Sequence, residues 1–178
     1  MQLRFDKNRF KTVAILSGSI FLPVLIAGCL LYESGFRFNL TPSLPLGIWK
    51  IDKAVTHIAR DDYVWFMPTK EISAFAIERG YLKNNTTPML KQVYGVPGDI
   101  YSFLDDDVKI NNTVIGNTKR RQADSKDRPM PQIEDGVVPE GHFFVLTHHS
   151  HSFDSRYFGT IPTANIIGTA KPVMVWKN

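Results

Sequence analysis

Three short segments of the sequence carry side chains that could do chemistry together. In the first, NLTPSLPLG at residues 39–47, Ser43 stands between Pro42 and Pro45. A proline fixes its own φ angle and restricts the residue before it, so the backbone around Ser43 is confined on both sides. Such a backbone suits a nucleophile that must point in one direction. A rigid proline linker is the alternative interpretation, and for this segment alone it is the commoner one.

The second segment, LKQVYGVPGD, places a lysine inside an apolar, strand-like run. Lys91 lies between Leu90 and Val93. If this lysine faces inward, desolvation lowers its pKa and makes the neutral amine available. A neutral amine can take a proton from a serine hydroxyl. The alternative is an edge strand from which Lys91 faces solvent.

The third segment, HSFDSRYFG, combines small hydroxyl side chains with two opposite charges. Asp154 and Arg156 could form a charge-assisted pair that fixes this loop. Ser152 could then hold a lysine amine. The alternative is a surface turn with an incidental ion pair.

Three histidines close to this segment raise the question of a metal site. His148, His149 and His151 fall within four residues. In an extended loop their rings would splay apart, and the sequence offers no evident cysteine or carboxylate partner. We therefore expect neither a metal nor an organic cofactor. A histidine-based triad is also conceivable, but it would leave Lys91 and Asp154 unexplained.

The elements that must position these side chains are mostly β-strands. From residue 36 onward, short apolar runs alternate with turn residues, which predicts an antiparallel β domain of the barrel or folded-sheet kind. Residues 69–80 predict one short helix starting at Thr69, and residues 117–136 predict a long, solvated surface loop. The predicted strands lie at residues 47–51, 63–66, 89–96, 100–103, 108–110, 113–115, 142–147 and 166–176.

The N-terminal part predicts export from the cytoplasm. Residues 13–32 contain no charge, and at about 1.5 Å per residue such a helix spans about 30 Å, the thickness of a hydrocarbon core. Basic residues within 1–12 predict a cytoplasmic N-terminus, which places residues 33–178 outside as the functional domain. A cleaved secretory signal and a lipoprotein signal ending at Cys29 are alternatives. All three interpretations export the domain.

Composition excludes several other classes of protein. Of the 178 residues, 43% are hydrophobic and 21% are charged, which is typical of a folded domain rather than a disordered chain. The net charge of +4 comes with no stretch that interleaves basic and aromatic residues, so we expect no nucleic-acid partner. The single cysteine excludes an intrachain disulfide.

Taken in order, the three segments resemble the motifs of the bacterial type I signal peptidase family. Residues 43–45 resemble its serine motif, with one residue fewer before the proline, whereas residues 91–99 and 152–159 resemble its lysine motif and its last motif. The TPSLPLG form and the small size are most similar to the conjugative-transfer branch, the TraF-type peptidases.

The resemblance implies a serine endopeptidase of the inner membrane, with its catalytic domain in the periplasm or, if the signal is cleaved, a wholly periplasmic protein. It implies a protein substrate, namely a propilin that is cleaved and in some cases joined into a ring for conjugative plasmid transfer. The lipid bilayer and components of a conjugative secretion system are the further partners implied. The roles that it implies are Ser43 as nucleophile, Lys91 as general base, Thr41 as oxyanion donor, Ser152 as orienter of the lysine, and Asp154 and Arg156 as supports.

Two alternative functions stay open at this point. A general type I signal peptidase would remove leader peptides from many secreted proteins with the same residues. An anchored, non-catalytic β module would serve as a scaffold in a secretion apparatus, and it would not need Ser43 or Lys91 for its function.

Overall fold

The computed structural model describes residues 7–54 and 56–176, with side chains from residue 19 onward. Its contacts divide the chain into two units, residues 1–37 and residues 38–178. The first unit contains helix α1 (Lys7–Glu33), with Pro23 inside it. Among the described residues, no helix is both long and apolar enough to cross a membrane. The side chains at the start of the predicted span, residues 13–18, lie outside the described part.

The second unit is mainly β. The strands are β1 (Phe36–Asn39), β2 (Gly47–Asp52), β3 (Tyr63–Phe66), β4 (Met89–Gly95), β5 (Ile100–Leu104), β6 (Asp107–Ile110), β7 (Thr113–Val114), β8 (Gly136–Val137), β9 (His142–Leu146), β10 (Ile161–Pro162) and β11 (Ile166–Val175). The helices are α2 (Lys70–Glu78), α3 (Ser155–Phe158) and a 3-10 turn (Thr163–Asn165).

These strands form two sheets. The larger sheet has the order β1-β2-β11-β3-β4-β9-β10, and the smaller one has the order β7-β6-β5-β8. The pairings of β3 with β4 and of β4 with β9, which flank the predicted lysine strand, are both antiparallel. Among the described strands neither sheet pairs its two end strands with each other. The predicted antiparallel β domain is therefore confirmed in its folded-sheet form.

The core lies on both faces of the larger sheet, as strand β9 illustrates. Side chains alternate between the faces of a strand. Phe143 and Val145 pack on one face with residues of β3 and β4, whereas Phe144 and Leu146 pack on the other with the smaller sheet. Phe144, Val145 and Leu146 are fully buried. Strand β4, which pairs with β9, is consequently covered by protein.

The predicted short helix is confirmed as α2, but the domain contains a further short helix that was not predicted. The Thr69 side chain caps α2 by accepting a hydrogen bond from the Ile72 N–H at 3.4 Å. The chain then turns at Gly80, which has a φ of 77°. Helix α3 is a second short helix, and at four residues it is too short to show helical periodicity in the sequence. The expectation of only one short helix is therefore wrong.

The long loop at residues 117–136 is present, but it is not simply solvated. The Arg120 guanidinium lies 3.6 Å from the centre of the Phe103 ring and donates to the Ile133 carbonyl at 2.7 Å. Asp124 accepts hydrogen bonds from Arg128 at 2.8 Å and from the Tyr81 hydroxyl at 2.8 Å. These contacts fix the loop to the domain.

Candidate active site

Ser43 lies on a half-buried turn between β1 and β2. Its Oγ is 3.5 Å from the Thr41 Oγ1. The next side chain, Leu44, is 7% exposed and packs in a cluster with Trp49 and Leu90. The turn is thus anchored by an apolar side chain on one side of Ser43, and the serine itself stays accessible.

The buried side chain of Asn39 makes most of the polar contacts of this turn. Its Nδ2 donates to the carbonyl oxygens of Thr41 at 3.1 Å, Leu44 at 3.0 Å and Pro45 at 3.1 Å. Its Oδ1 accepts from the Thr41 N–H at 3.2 Å and from the Thr41 hydroxyl at 2.8 Å. Asn39 begins the first sequence segment, but it is not among the predicted site residues. An asparagine at a strand end, directly before turn residues, is typical of an Asx turn and was the available signal.

Gly47 ends the turn for a steric reason. Its φ is 149°, and a Cβ at this position would lie 2.1 Å from the Met174 carbonyl oxygen on β11. A side chain here would push β2 away from β11, with which it pairs. The glycine of the TPSLPLG segment therefore permits the close approach that starts β2.

Lys91 faces the interior from strand β4, as the inward alternative predicts. It pairs with Val64 of β3 in the sheet, and its side chain is 5% exposed. The Nζ atom donates a hydrogen bond to the Ser152 Oγ at 3.0 Å. The structure therefore brings the second and third sequence segments together.

Burial sets the ionisation of this amine. Desolvation lowers the pKa of Lys91 from 10.5 to about 8, while the carboxylate of Asp154 raises it and the guanidinium of Arg156 lowers it further. A fully exposed lysine is almost entirely protonated near neutral pH. With a pKa of about 8, a substantial fraction of Lys91 is neutral at mildly alkaline pH and can accept a proton.

The loop that carries Ser152 is held by a buried ion pair. Arg156 Nε donates to Asp154 Oδ1 at 2.7 Å and Nη2 donates to Oδ2 at 2.9 Å, with both side chains fully buried. Arg156 Nη2 also donates to the Thr147 carbonyl at 2.7 Å, and the Thr147 N–H donates to Asp154 at 3.2 Å. The ion pair therefore ties α3 to the end of β9, and the surface-turn alternative is wrong.

The three histidines lie on the same loop and contact different partners. His148 Nε2 lies 2.5 Å from the Tyr94 hydroxyl, and its Nδ1 lies 2.7 Å from the Gly116 carbonyl oxygen. His149 Nδ1 accepts from the His151 N–H at 3.2 Å, and burial lowers the pKa of His149. Within the described residues, no group of three or more His, Cys, Asp or Glu side chains is placed to hold a metal ion.

The candidate residues form two hydrogen-bonded pairs. One joins Ser43 to Thr41, and the other joins Lys91 to Ser152. Among the described residues, the Lys91 Nζ makes no direct hydrogen bond to the Ser43 Oγ. Catalytic hydrogen bonds often tighten only when substrate is bound. The Ser43–Lys91 dyad, and the roles of the residues around it, stay predictions.

Comparison with known proteins places the chain in a family. Residues 10–176 match the family model described as signal peptidase, peptidase S26. The chain belongs to the signal peptidase family. Membership of this family supports a serine peptidase that acts on a protein substrate.

Within the family, the chain is similar to proteins of conjugal transfer. It is 30% identical to the conjugal transfer protein TraF of Agrobacterium tumefaciens (strain 15955), over 96% of this chain and 98% of that protein. It is 33% identical to a plasmid transfer protein TraF of Escherichia coli, over 93% and 96% of the two chains. A solved signal peptidase I from Enterococcus faecalis V583 is 25% identical and gives a TM-score of 0.39, covering 65% of this chain and 98% of its own. The family assignment rests on the sequence matches alone.

Proposed function

We propose that this signal peptidase family member is a membrane-bound serine endopeptidase that matures an exported propilin for conjugative plasmid transfer. The observation that carries the proposal is the buried Lys91 amine, whose pKa is lowered to about 8 and whose Nζ is held by Ser152. A buried lysine with a lowered pKa can serve as a base, and such shifts are concentrated at functional sites. The similarity to TraF proteins supports the conjugative role.

In the proposed acylation step, neutral Lys91 accepts the proton of the Ser43 hydroxyl while Ser43 Oγ bonds to the substrate carbonyl carbon. The Ser43 N–H and the Thr41 hydroxyl donate to the oxyanion that forms. Lys91 then returns its proton to the leaving amine as the peptide bond breaks. The product of this step is an acyl-enzyme on Ser43.

In the proposed second step, a water molecule attacks the acyl-enzyme, and Lys91 accepts its proton and passes it back to Ser43. If the amino group of the pilin chain itself attacks in place of water, a new peptide bond closes the chain into a ring. Both outcomes use the same residues. The analysis of the released pilin by mass spectrometry distinguishes them, because the cyclic product is lighter than the linear one by one water.

The proposed substrate geometry is strand addition, in which an extended peptide bonds to an exposed sheet edge. Strand β1 lies at one end of the larger sheet and ends at Asn39, shortly before the Ser43 turn. The proposed membrane attachment is the uncharged run at residues 13–32, with the domain in the periplasm. Fractionation with an alkaline carbonate wash tests the attachment, because an inserted anchor stays in the membrane pellet.

The proposal is tested by Ser43→Ala and Lys91→Ala, assayed for propilin cleavage and for plasmid transfer. We expect each to lower cleavage at least about 10³-fold, because each removes a group that acts on the reacting atoms. Ser125→Ala and Lys126→Ala are matched controls on the exposed part of the long loop and should keep full activity. Full activity of either Ser43→Ala or Lys91→Ala would exclude the dyad. Cleavage of many unrelated leader peptides would instead favour the general signal peptidase.

A further inference from the structure

A residue outside the predicted site, Asn39, organises the turn that carries the nucleophile. Its side chain is 7% exposed and makes five hydrogen bonds, all within residues 39–45. Three of these bonds satisfy carbonyl oxygens, and two satisfy the Thr41 N–H and hydroxyl. In a β-strand, backbone N–H and carbonyl groups are satisfied by hydrogen bonds to the neighbouring strand. In this turn the Asn39 side chain supplies such hydrogen bonds instead.

The Nδ2 end of the amide reaches both sides of Ser43. The Nδ2 atom bonds to the carbonyl oxygen of Thr41 before Ser43 and to those of Leu44 and Pro45 after it. The backbone on both sides of the nucleophile is therefore tied to one planar, buried group. The prolines act differently, because they restrict backbone angles locally, whereas the Asn39 amide links residues on both sides of Ser43 to one group.

The bond between Asn39 and Thr41 also decides the orientation of the Thr41 hydroxyl. A hydroxyl has one proton, and that of Thr41 is donated to Asn39 Oδ1 at 2.8 Å. Facing Ser43 at 3.5 Å, the Thr41 oxygen can then only accept. The hydroxyl becomes available as a donor when its proton turns from Asn39 toward a developing oxyanion.

We propose that Asn39 is the positioning residue of the nucleophile turn (residues 39–47), holding the backbone around Ser43, and with it the Thr41 oxygen, at the position that acyl transfer requires. This inference rests on the proposed serine peptidase function. Asn39 does not touch the reacting atoms and acts through its two neighbours in the turn. Its loss therefore affects the rate of the chemical step and leaves the affinity for substrate largely intact.

Two substitutions separate the two ends of the amide. Asn39→Leu keeps the approximate volume and removes all five hydrogen bonds, whereas Asn39→Asp keeps an acceptor for Thr41 and removes the donor to the three carbonyl oxygens. For both, we expect kcat for propilin cleavage to fall about 10²-fold, as small displacements of a reacting group do. We expect KM to change by no more than about threefold, since Asn39 bonds only to its own turn and makes no proposed contact with the substrate.

Asn165→Leu is the matched control for loss of an amide-to-backbone hydrogen bond. The Asn165 Nδ2 donates at 2.8 Å to the carbonyl of Met67, the residue that follows β3, from the 3-10 turn that precedes β11. It should lower the thermal unfolding temperature but leave kcat unchanged. If Asn39→Leu and Asn39→Asp keep the wild-type kcat, or if Asn165→Leu lowers kcat equally, the positioning role is wrong.

A second readout keeps this test separate from that of the peptidase itself. The Thr41 amide hydrogen bonds to Asn39 Oδ1, so its exchange with solvent, measured by NMR on the full chain, reports the hold of Asn39 on the turn. Asn39→Leu should speed exchange at Thr41 while exchange within β4 stays unchanged. If Ser43→Ala remains active, the peptidase proposal fails whatever the exchange shows. If Ser43→Ala is inactive and the Thr41 amide exchanges equally fast with and without Asn39, only the positioning role fails.

Discussion

The nucleophile turn, residues 39–47, and the lysine centre, formed by Lys91, Ser152, Asp154 and Arg156, are built in opposite ways. The turn is partly exposed, and its polar contacts are local hydrogen bonds among neutral groups. The lysine centre is buried, its hydrogen bond from Lys91 to Ser152 joins residues 61 positions apart, and three of its four side chains can carry charge.

The difference separates two requirements of the proposed chemistry. A nucleophile must meet an incoming peptide, so its position is fixed by a turn that leaves the hydroxyl accessible. A lysine base must lose its proton near neutral pH, which requires burial away from water. The turn therefore leaves the Ser43 hydroxyl accessible, and strand β4 holds Lys91 in apolar surroundings. Changes to the lysine centre should consequently alter stability and pH dependence as well as rate, whereas changes to the turn should act mainly on rate.

The largest expected effect is on stability, from breaking the buried ion pair. Asp154→Leu leaves the Arg156 guanidinium buried without its carboxylate, which should lower the free energy of unfolding by about 3–5 kcal/mol. Thr41→Val in the turn should cost about 1 kcal/mol or less, because its hydroxyl is exposed. Urea unfolding of the two variants measures both values. Equal losses would contradict the contrast between the two regions.

The second expected effect is a gain in stability that depends on pH. The change in the pKa of Lys91, from 10.5 to about 8, corresponds to a cost of about 3 kcal/mol in the folded state. Lys91→Met removes this cost and also loses the hydrogen bond to Ser152, worth about 1 kcal/mol. The variant should therefore be more stable than the wild type by about 2 kcal/mol at pH 7, below both pKa values.

The sign of the pH dependence follows from proton linkage. Between pH 8 and pH 10.5 the unfolded wild-type chain binds more protons at Lys91 than the folded chain does, so wild-type stability rises with pH across this window. The advantage of Lys91→Met should therefore shrink as the pH rises toward 10.5. Thermal unfolding at pH 7 and pH 10 measures the change. A difference that is the same at both pH values would show that Lys91 is not desolvated.

The smallest expected effect is on rate, from Ser152→Ala. This change removes the hydroxyl that holds the Lys91 Nζ at 3.0 Å, and we expect kcat to fall about 10-fold or somewhat more, because the base is less well oriented. Ser155→Ala is the matched control, since that buried hydroxyl accepts from the Val145 N–H at 2.8 Å. It should lower stability and leave kcat near the wild-type value. A similar loss of kcat in Ser152→Ala and Ser155→Ala would show that Ser152 has only a structural role.

Much of the lysine centre could be predicted from the sequence, because its signals are local. Lys91 stands in an apolar, strand-like run, and burial of that strand decides which way the side chain points. The pairing of Asp154 with Arg156 follows from their spacing. The hydrogen bond from Lys91 to Ser152 joins residues 61 positions apart. The third segment offered Ser152 as a hydroxyl that could hold a lysine amine, and the resemblance to a known family assigned it to Lys91.

The remaining features of the fold and the site depend on tertiary contacts, which a local sequence pattern does not indicate. Arg120 belongs to a basic run in a polar loop, yet it packs on Phe103 because the loop folds back over the smaller sheet. Helix α3 is too short for periodicity. No role could be predicted for Asn39, because an asparagine before a turn is common and only its burial distinguishes this one.

The titration of Lys91 tests the central claim most directly, because the proposed chemistry needs a neutral amine. NMR of the full chain with isotope-labelled lysine, with the Lys91 signal assigned by Lys91→Met, follows the side-chain shift as the pH is raised. The expected result is an apparent pKa of about 8 for Lys91, with the exposed lysines titrating near 10.5. An apparent pKa near 10.5 for Lys91 would contradict its role as the base for Ser43.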